Sequence, residues 1–148
     1  MTHPVRLQLS RKKGFRLQAH SRAVNGLPAV KVDRTTKWGN PFKIGSGQDR
    51  KECVYLFLLL QHGYHCISSG PGLEATEEYN ATVKREWKSL SGKNLACWCS
   101  LPKPGEPDIC HAAVLLEVAK PKARRRQHVL DALFDAVKGD RGVSRRAA

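Results

Sequence analysis

The sequence predicts an α/β fold: a single small domain with a short, mainly parallel sheet flanked by helices. Three observations carry this. A short β-prone run, Ala29 to Val32, is separated by helical patterns from a second one, Asn94 to Cys99. The second run leads through a loop into a helix, the unit that sets ligands at strand ends in α/β proteins. A length of 148 residues suits one core that can fold without metals or disulfides.

Taken in order, residues 1–22 hold six Lys/Arg and no acid and read as a basic strap on a compact domain spanning 1–120. After the first strand, TTKWGNPFKIGSGQ (35–48) is dense in turn residues. Asp49, with Glu52 three residues on, forms a capping pair for a helix through about Gln61, apolar nearly all round and so expected to be buried. Past the linker GYHCISSGPG, Tyr79, Val83 and Trp87 mark an amphipathic helix that stops before Ser91-Gly92. In the strand Asn94 to Cys99, Cys97 and Cys99 share a face and Trp98 takes the other. SLPKPGEP then forms a loop, and Asp108 caps a helix from Ile109 to Ala119 that ends where Lys120 meets Pro121. Val129, Leu130, Leu133, Phe134 and Val137 give a further amphipathic helix within a basic segment, 121–138, and residues 139–148 are expected to be disordered.

Composition narrows the function classes. With 41% hydrophobic and 26% charged residues the chain reads as soluble and globular. Its longest apolar run, Val54 to Leu60, is far too short to span a bilayer. The N-terminus has no secretory pattern, so the expected compartment is cytoplasmic, and the five cysteines are expected to form no structural disulfide. The net charge of +13 is made at the two ends: residues 120–148 hold nine Lys/Arg against three acids, whereas the 97 residues from 23 to 119 are nearly balanced. Lys120, Lys122, Arg124, Arg125 and Arg126 form an electrostatic footprint for a nucleic-acid backbone; the alternative is a solubilising tail. Contact of that kind is led by phosphate, sensitive to salt and poor in sequence information.

Two stretches carry candidate chemistry. CWCSLPKPGEPDICHAAVLLEVA (97–119) puts three cysteines and a histidine around a proline-rich loop. Cys110, in the first helical turn, is favoured as a thiolate by the helix dipole and should be more acidic than a free cysteine. It is the candidate nucleophile or anion contact, with His111 as acid/base, although neighbours on a helix diverge by about 100°. Cys97, Cys99, Cys110 and His111 are also the inventory of a tetrahedral zinc site, but their spacing is not that of paired knuckles, so no cofactor is favoured. Inward-facing core cysteines are the simpler reading of Cys97 and Cys99. In KWGNPF (37–42), turn chemistry explains Gly39, Asn40 and Pro41. Lys37, Trp38 and Asn40 beside them are the groups needed to hold a phosphate and a nucleobase.

RKKGFR (11–16), TKWGNPF (36–42), GKNLACWC (92–99) and CHAAVLLEVA (110–119) together closely resemble a family of small phage and bacterial proteins catalogued as domain of unknown function 4326. The resemblance covers roughly residues 5–120 and implies one compact domain with a site near KWGNPF and the CWC/CH elements. The leading expectation is a nucleotide or nucleic-acid ligand in a cleft between the KWGNPF loop and the Cys-His helix start, with enzymatic activity left open. There Trp38 stacks on a base, Asn40 bonds its edge, and Lys37, Arg11 and Lys13 meet phosphate. The rivals are a non-catalytic nucleic-acid-binding accessory protein working through basic termini and a zinc-stabilised interaction module.

Overall fold

The computed structural model describes residues 2–45, 48–64 and 70–120, with the isolated positions 131 and 135. Three parallel strands form one open sheet in the order β1-β3-β2. β1 is Arg6–Gln8, β2 Ala29–Lys31 and β3 Asn94–Cys97, so the last strand in sequence is the central one, pairing Leu7 with Ala96 on one side and Val30 with Leu95 on the other. Among the described residues the α-helices that accompany them are α1 (Leu17–Asn25), α2 (Arg50–Gln61), α3 (Leu73–Glu86) and α4 (His111–Val118).

The period-2 alternation of the strands divides the core between the two faces of the sheet. Leu95 and Cys97 face the larger cluster, which holds Phe57, Leu58 and Leu60 of α2 and Val114 and Leu115 of α4. Leu7, Leu9, Ala29 and Ala96 face the smaller one, against Phe15 and Leu17 at the start of α1. α1 is anchored by polar bonds as well. Gln18 Nε2 donates to the Ala29 carbonyl at 2.7 Å, and buried Asn94 Nδ2 donates to Ser21 Oγ at 2.8 Å and to Asn25 Oδ1 at 2.7 Å. Gly26, at φ +78°, ends the helix in the left-handed conformation that glycine adopts without strain.

Several expectations meet the structure directly. α2 begins where the capping pair put it, with Asp49 accepting from the Glu52 amide at 2.8 Å. The 1–22 segment is more than a strap, because it carries β1 and most of α1. The expected cap at Asp108 is displaced: α4 starts at His111 with Cys110 in the cap position, and the Asp108 carboxylate binds Arg6 Nε at 2.5 Å. β3 ends at Cys97, two residues earlier than expected. The basic segment from 121, including Lys122, Arg124, Arg125 and Arg126, the helix expected after it and the 139–148 tail lie outside the described residues, apart from positions 131 and 135. Among the described residues no helix is long and apolar enough to cross a membrane.

Candidate metal centre

β3 runs up the middle of the sheet and α4 packs against it, so the end of the strand and the start of the helix meet. Cys97 is the last residue of β3, Cys99 follows one residue beyond it, and Cys110 and His111 open α4. The loop between them is fastened by a residue that sequence reasoning counted only as charge. Arg6 is buried on β1, and its guanidinium donates to the carbonyls of Cys99 (2.7 Å) and Ser100 (2.6 Å) while it pairs with Asp108. Arg50, at the start of α2, adds a bond from Nε to the Ile109 carbonyl at 3.1 Å.

This frame brings the sulfurs of Cys97, Cys99 and Cys110 within 4.8 Å of one another, with Cys97 and Cys99 at 3.9 Å. Cys110 is 1% exposed and Cys97 5%, while Cys99 is half-buried. His111 stands at the edge of the group, its Nδ1 3.9 Å from Cys110 Sγ. Its other nitrogen, Nε2, lies 2.7 Å from the Val32 carbonyl, which can only accept, so Nε2 is the donor of that bond and Nδ1 is the nitrogen that faces the sulfur. The ring is also wedged edge-on to Phe57 at 5.7 Å.

The dimensions fit a metal. A tetrahedral zinc with Zn–S distances of about 2.3 Å sets its sulfurs about 3.8 Å apart. The Cys97–Cys99 separation matches that edge, and the third sulfur needs only a small inward shift. The cluster could therefore hold a metal ion. The protons are shared unevenly among the thiols. Hydrogen bonds from Cys110 and Cys97 pull the Cys99 pKa far down against the cost of burial, helped by the charges of Arg50 and Arg6. Cys97 is lowered chiefly by its bond from Cys110. Cys110 is pushed well up by its bonds to Cys97 and Cys99 and then by burial. The three thiols thus titrate as one group, in which Cys99 is drawn toward the thiolate and Cys110 toward the thiol.

KWGNPF has a different use. Trp38 is 4% exposed and belongs to the main core, and Tyr79 Oη donates to its carbonyl at 2.9 Å. Asn40 accepts from the Phe42 amide at 2.9 Å and donates from Nδ2 to the Cys53 carbonyl at 3.1 Å. Gly39 passes so close to the preceding loop that a Cβ there would lie 2.6 Å from the Arg34 Cα. Lys37 lies over the Trp38 ring and pairs with Glu86. The expected stacking ring and base-edge amide are therefore engaged in packing and turn formation. A cleft of about 440 Å³ does open beside α2, but it is lined by Arg50, Ser100, Leu101, Pro102, Asp108 and Ile109 among others, and by neither Trp38 nor Cys110.

The remaining candidates are on the surface. Arg11 and Lys13 are exposed, with the Arg11 guanidinium 4.9 Å from the centroid of the Trp98 ring. Lys120 pairs with Glu117 at 2.5 Å. Sequence reasoning missed Arg6, Arg50 and Asp33, the last of which accepts from Trp98 Nε1 at 2.7 Å. The alternation in VRLQL was the available signal for Arg6: it makes Leu7 and Leu9 one face of a strand and Arg6 the other.

One family model, described as Domain of unknown function (DUF4326), matches residues 9–121. No curated protein matches the chain, and no solved structure does.

Proposed function

The chain belongs to the DUF4326 family, and on the geometry of this member we propose that it is a zinc-stabilised nucleic-acid-binding module. Cys97, Cys99 and Cys110 are the thiolate ligands and His111 Nδ1 is the fourth donor. The observation that carries this reading is the convergence of three sulfurs, two buried and one half-buried, from two segments to within 4.8 Å of one another. The supporting shell is of the right kind. A histidine that ligates through one nitrogen normally donates from the other to a carbonyl or carboxylate, as His111 does to Val32. Four protein donors make a closed site, whose role is to hold structure. Bound zinc would tie the sheet to α4 and fix the CWC turn. A nucleophilic role for Cys110 has less support, since its thiol is buried and its pKa raised. The nucleic-acid part of the reading rests on the acid-free 1–22 segment, whose Arg11, Lys12, Lys13, Arg16 and Arg22 are all exposed.

Native mass spectrometry of the full chain, with and without a strong chelator, tests the metal. The expected result is a mass difference of one zinc ion, abolished in Cys97→Ser and Cys110→Ser. A chain purified with zinc present that carries no metal, and whose melting temperature ignores both zinc and chelator, would refute the reading.

A further inference from the structure

The cysteines of the cluster carry between them a side chain that points the other way. Trp98 is 41% exposed, yet its ring is held in position. Its Nε1 donates to Asp33 Oδ2 at 2.7 Å, and Asp33 itself is 2% exposed, so the edge of the indole is pinned to a buried carboxylate. The Arg11 guanidinium covers the ring at 4.9 Å from its centroid. Lys12 and Lys13 follow Arg11 on an exposed turn, and exposed Lys31 reaches the same Asp33 oxygen at 3.3 Å. The indole is thus held at its edge, with one cation over its face, a second on the carboxylate that holds it, and two more exposed lysines on the turn that follows Arg11.

We infer that Trp98, with Arg11, Lys12, Lys13 and Lys31, is a docking site for single-stranded nucleic acid, in which a base stacks on the indole and the cations meet the flanking phosphates. The inference rests on the nucleic-acid part of the proposed function and deepens it; Trp98 is carried between two of the proposed zinc ligands but is held by Asp33 and Arg11. The chemistry selects this occupant. Phosphate alone would need only the cations, an apolar partner would not be drawn to a surface where basic residues outnumber the one paired carboxylate, and a base inside a duplex does not present its face. A free base offers the ring a π-face and its backbone offers the charges an anion every nucleotide. Arg11 contributes twice, since a guanidinium over an indole can part from it to meet phosphate or stack on the next base. Asp33 orients the ring and is a positioning residue.

The test uses the full-length, zinc-loaded chain and two labelled probes read by fluorescence anisotropy: a twelve-residue oligothymidylate and an abasic strand of the same length and charge. The expected result is that the wild type prefers the thymidylate over the abasic strand by roughly tenfold, as one stacked base warrants. Trp98→Ala should remove that preference while keeping one equivalent of zinc, and Trp98→Phe should keep most of it. Arg11→Ala combined with Lys12→Ala and Lys13→Ala should weaken both probes and flatten the dependence on salt. Equal binding of the two probes by the wild type, or an unchanged preference in Trp98→Ala, would overturn the inference. So would loss of all binding when Lys122, Arg124, Arg125 and Arg126 are changed to Ala with residues 1–120 untouched. The two readings fail separately. A chain without zinc whose preference still depends on Trp98 removes the metal and keeps the docking site, whereas a zinc-bearing chain indifferent to Trp98 does the reverse.

Discussion

Trp98 keeps one orientation because an ionised carboxylate lies beneath it. Asp33 Oδ1 accepts from the amide and hydroxyl of Thr35, at 3.1 and 2.6 Å, and Oδ2 accepts from Trp98 and Lys31. Burial opposes the charge, but the bonds from Thr35 and Trp98 outweigh it and hold the pKa below its ordinary value. A carboxyl whose pKa is depressed on folding contributes stability above its unfolded value of about 3.9, and the contribution is lost as pH falls through the folded value. An amide in its place must turn its NH₂ toward one of these donors. Asp33→Asn should therefore cost roughly 1–3 kcal/mol at pH 7, and the gap to wild type should narrow below pH 4. Urea unfolding of both proteins at pH 7 and pH 3 checks this; a gap that is constant with pH would show that the Asp33 charge contributes nothing. Gly39 makes a second prediction at this scale. A methyl group 2.6 Å from backbone cannot be accommodated by a side-chain rotation, so Gly39→Ala should destabilise the chain by roughly 1–3 kcal/mol in the same measurement.

Among the elements, the join between β1 and the 99–110 loop matters most for the candidate metal centre. Arg6 is buried, and its fork serves two carbonyls and one carboxylate at once. Removing it leaves Asp108 without its cation, and Arg6→Ala should cost about 3–5 kcal/mol. Arg6→Lys should recover only part of that, because an ammonium has no planar fork to span the three acceptors. Both variants should bind zinc more weakly in competition with a chromophoric chelator. Zinc affinity equal to wild type in Arg6→Ala would mean that the loop keeps its shape without the latch.

How much of each element the sequence disclosed follows from how local its cause is. α2, α3 and β3 are specified by neighbours in sequence, through the Asp49–Glu52 cap, the spacing of Tyr79 and Val83, and the pattern of Asn94 to Cys97; α2 and β3 are legible within two residues, whereas α3 is legible as an element without its start and ends at Glu86, ahead of the expected stop before Ser91. β1 and α1 left signals, in the alternation of VRLQL and in the glycine that follows Asn25, but the run of cations drew attention to charge instead. The start of α4 was not readable, because what removes Asp108 from the cap is an arginine 102 residues away. The same limit applies to the site. The sequence offered the four donor residues but could not say that a ten-residue loop would fold back to bring Cys110 against Cys97 and Cys99. In KWGNPF the turn was legible and the burial of Trp38 was not, since Tyr79 and the core that enclose it come from other elements.

At the scale of the whole molecule, the larger core spans α2, α3, α4 and the sheet, which is more than a metal-dependent miniature domain possesses. Chelation should accordingly lower the melting temperature without unfolding the chain at room temperature; circular dichroism at 25 °C before and after chelator checks this, and collapse to a random-coil spectrum would mean that the core is insufficient alone. Because the thiols must lose their protons to bind, acidification should release the metal and release should be reversed on neutralisation. The most direct measurement of the central claim is the zinc K-edge absorption fine structure of the full-length chain. The account predicts three sulfurs at about 2.3 Å and one nitrogen at about 2.0 Å. A shell of oxygen and nitrogen alone, or one unchanged in Cys110→Ser, would contradict it.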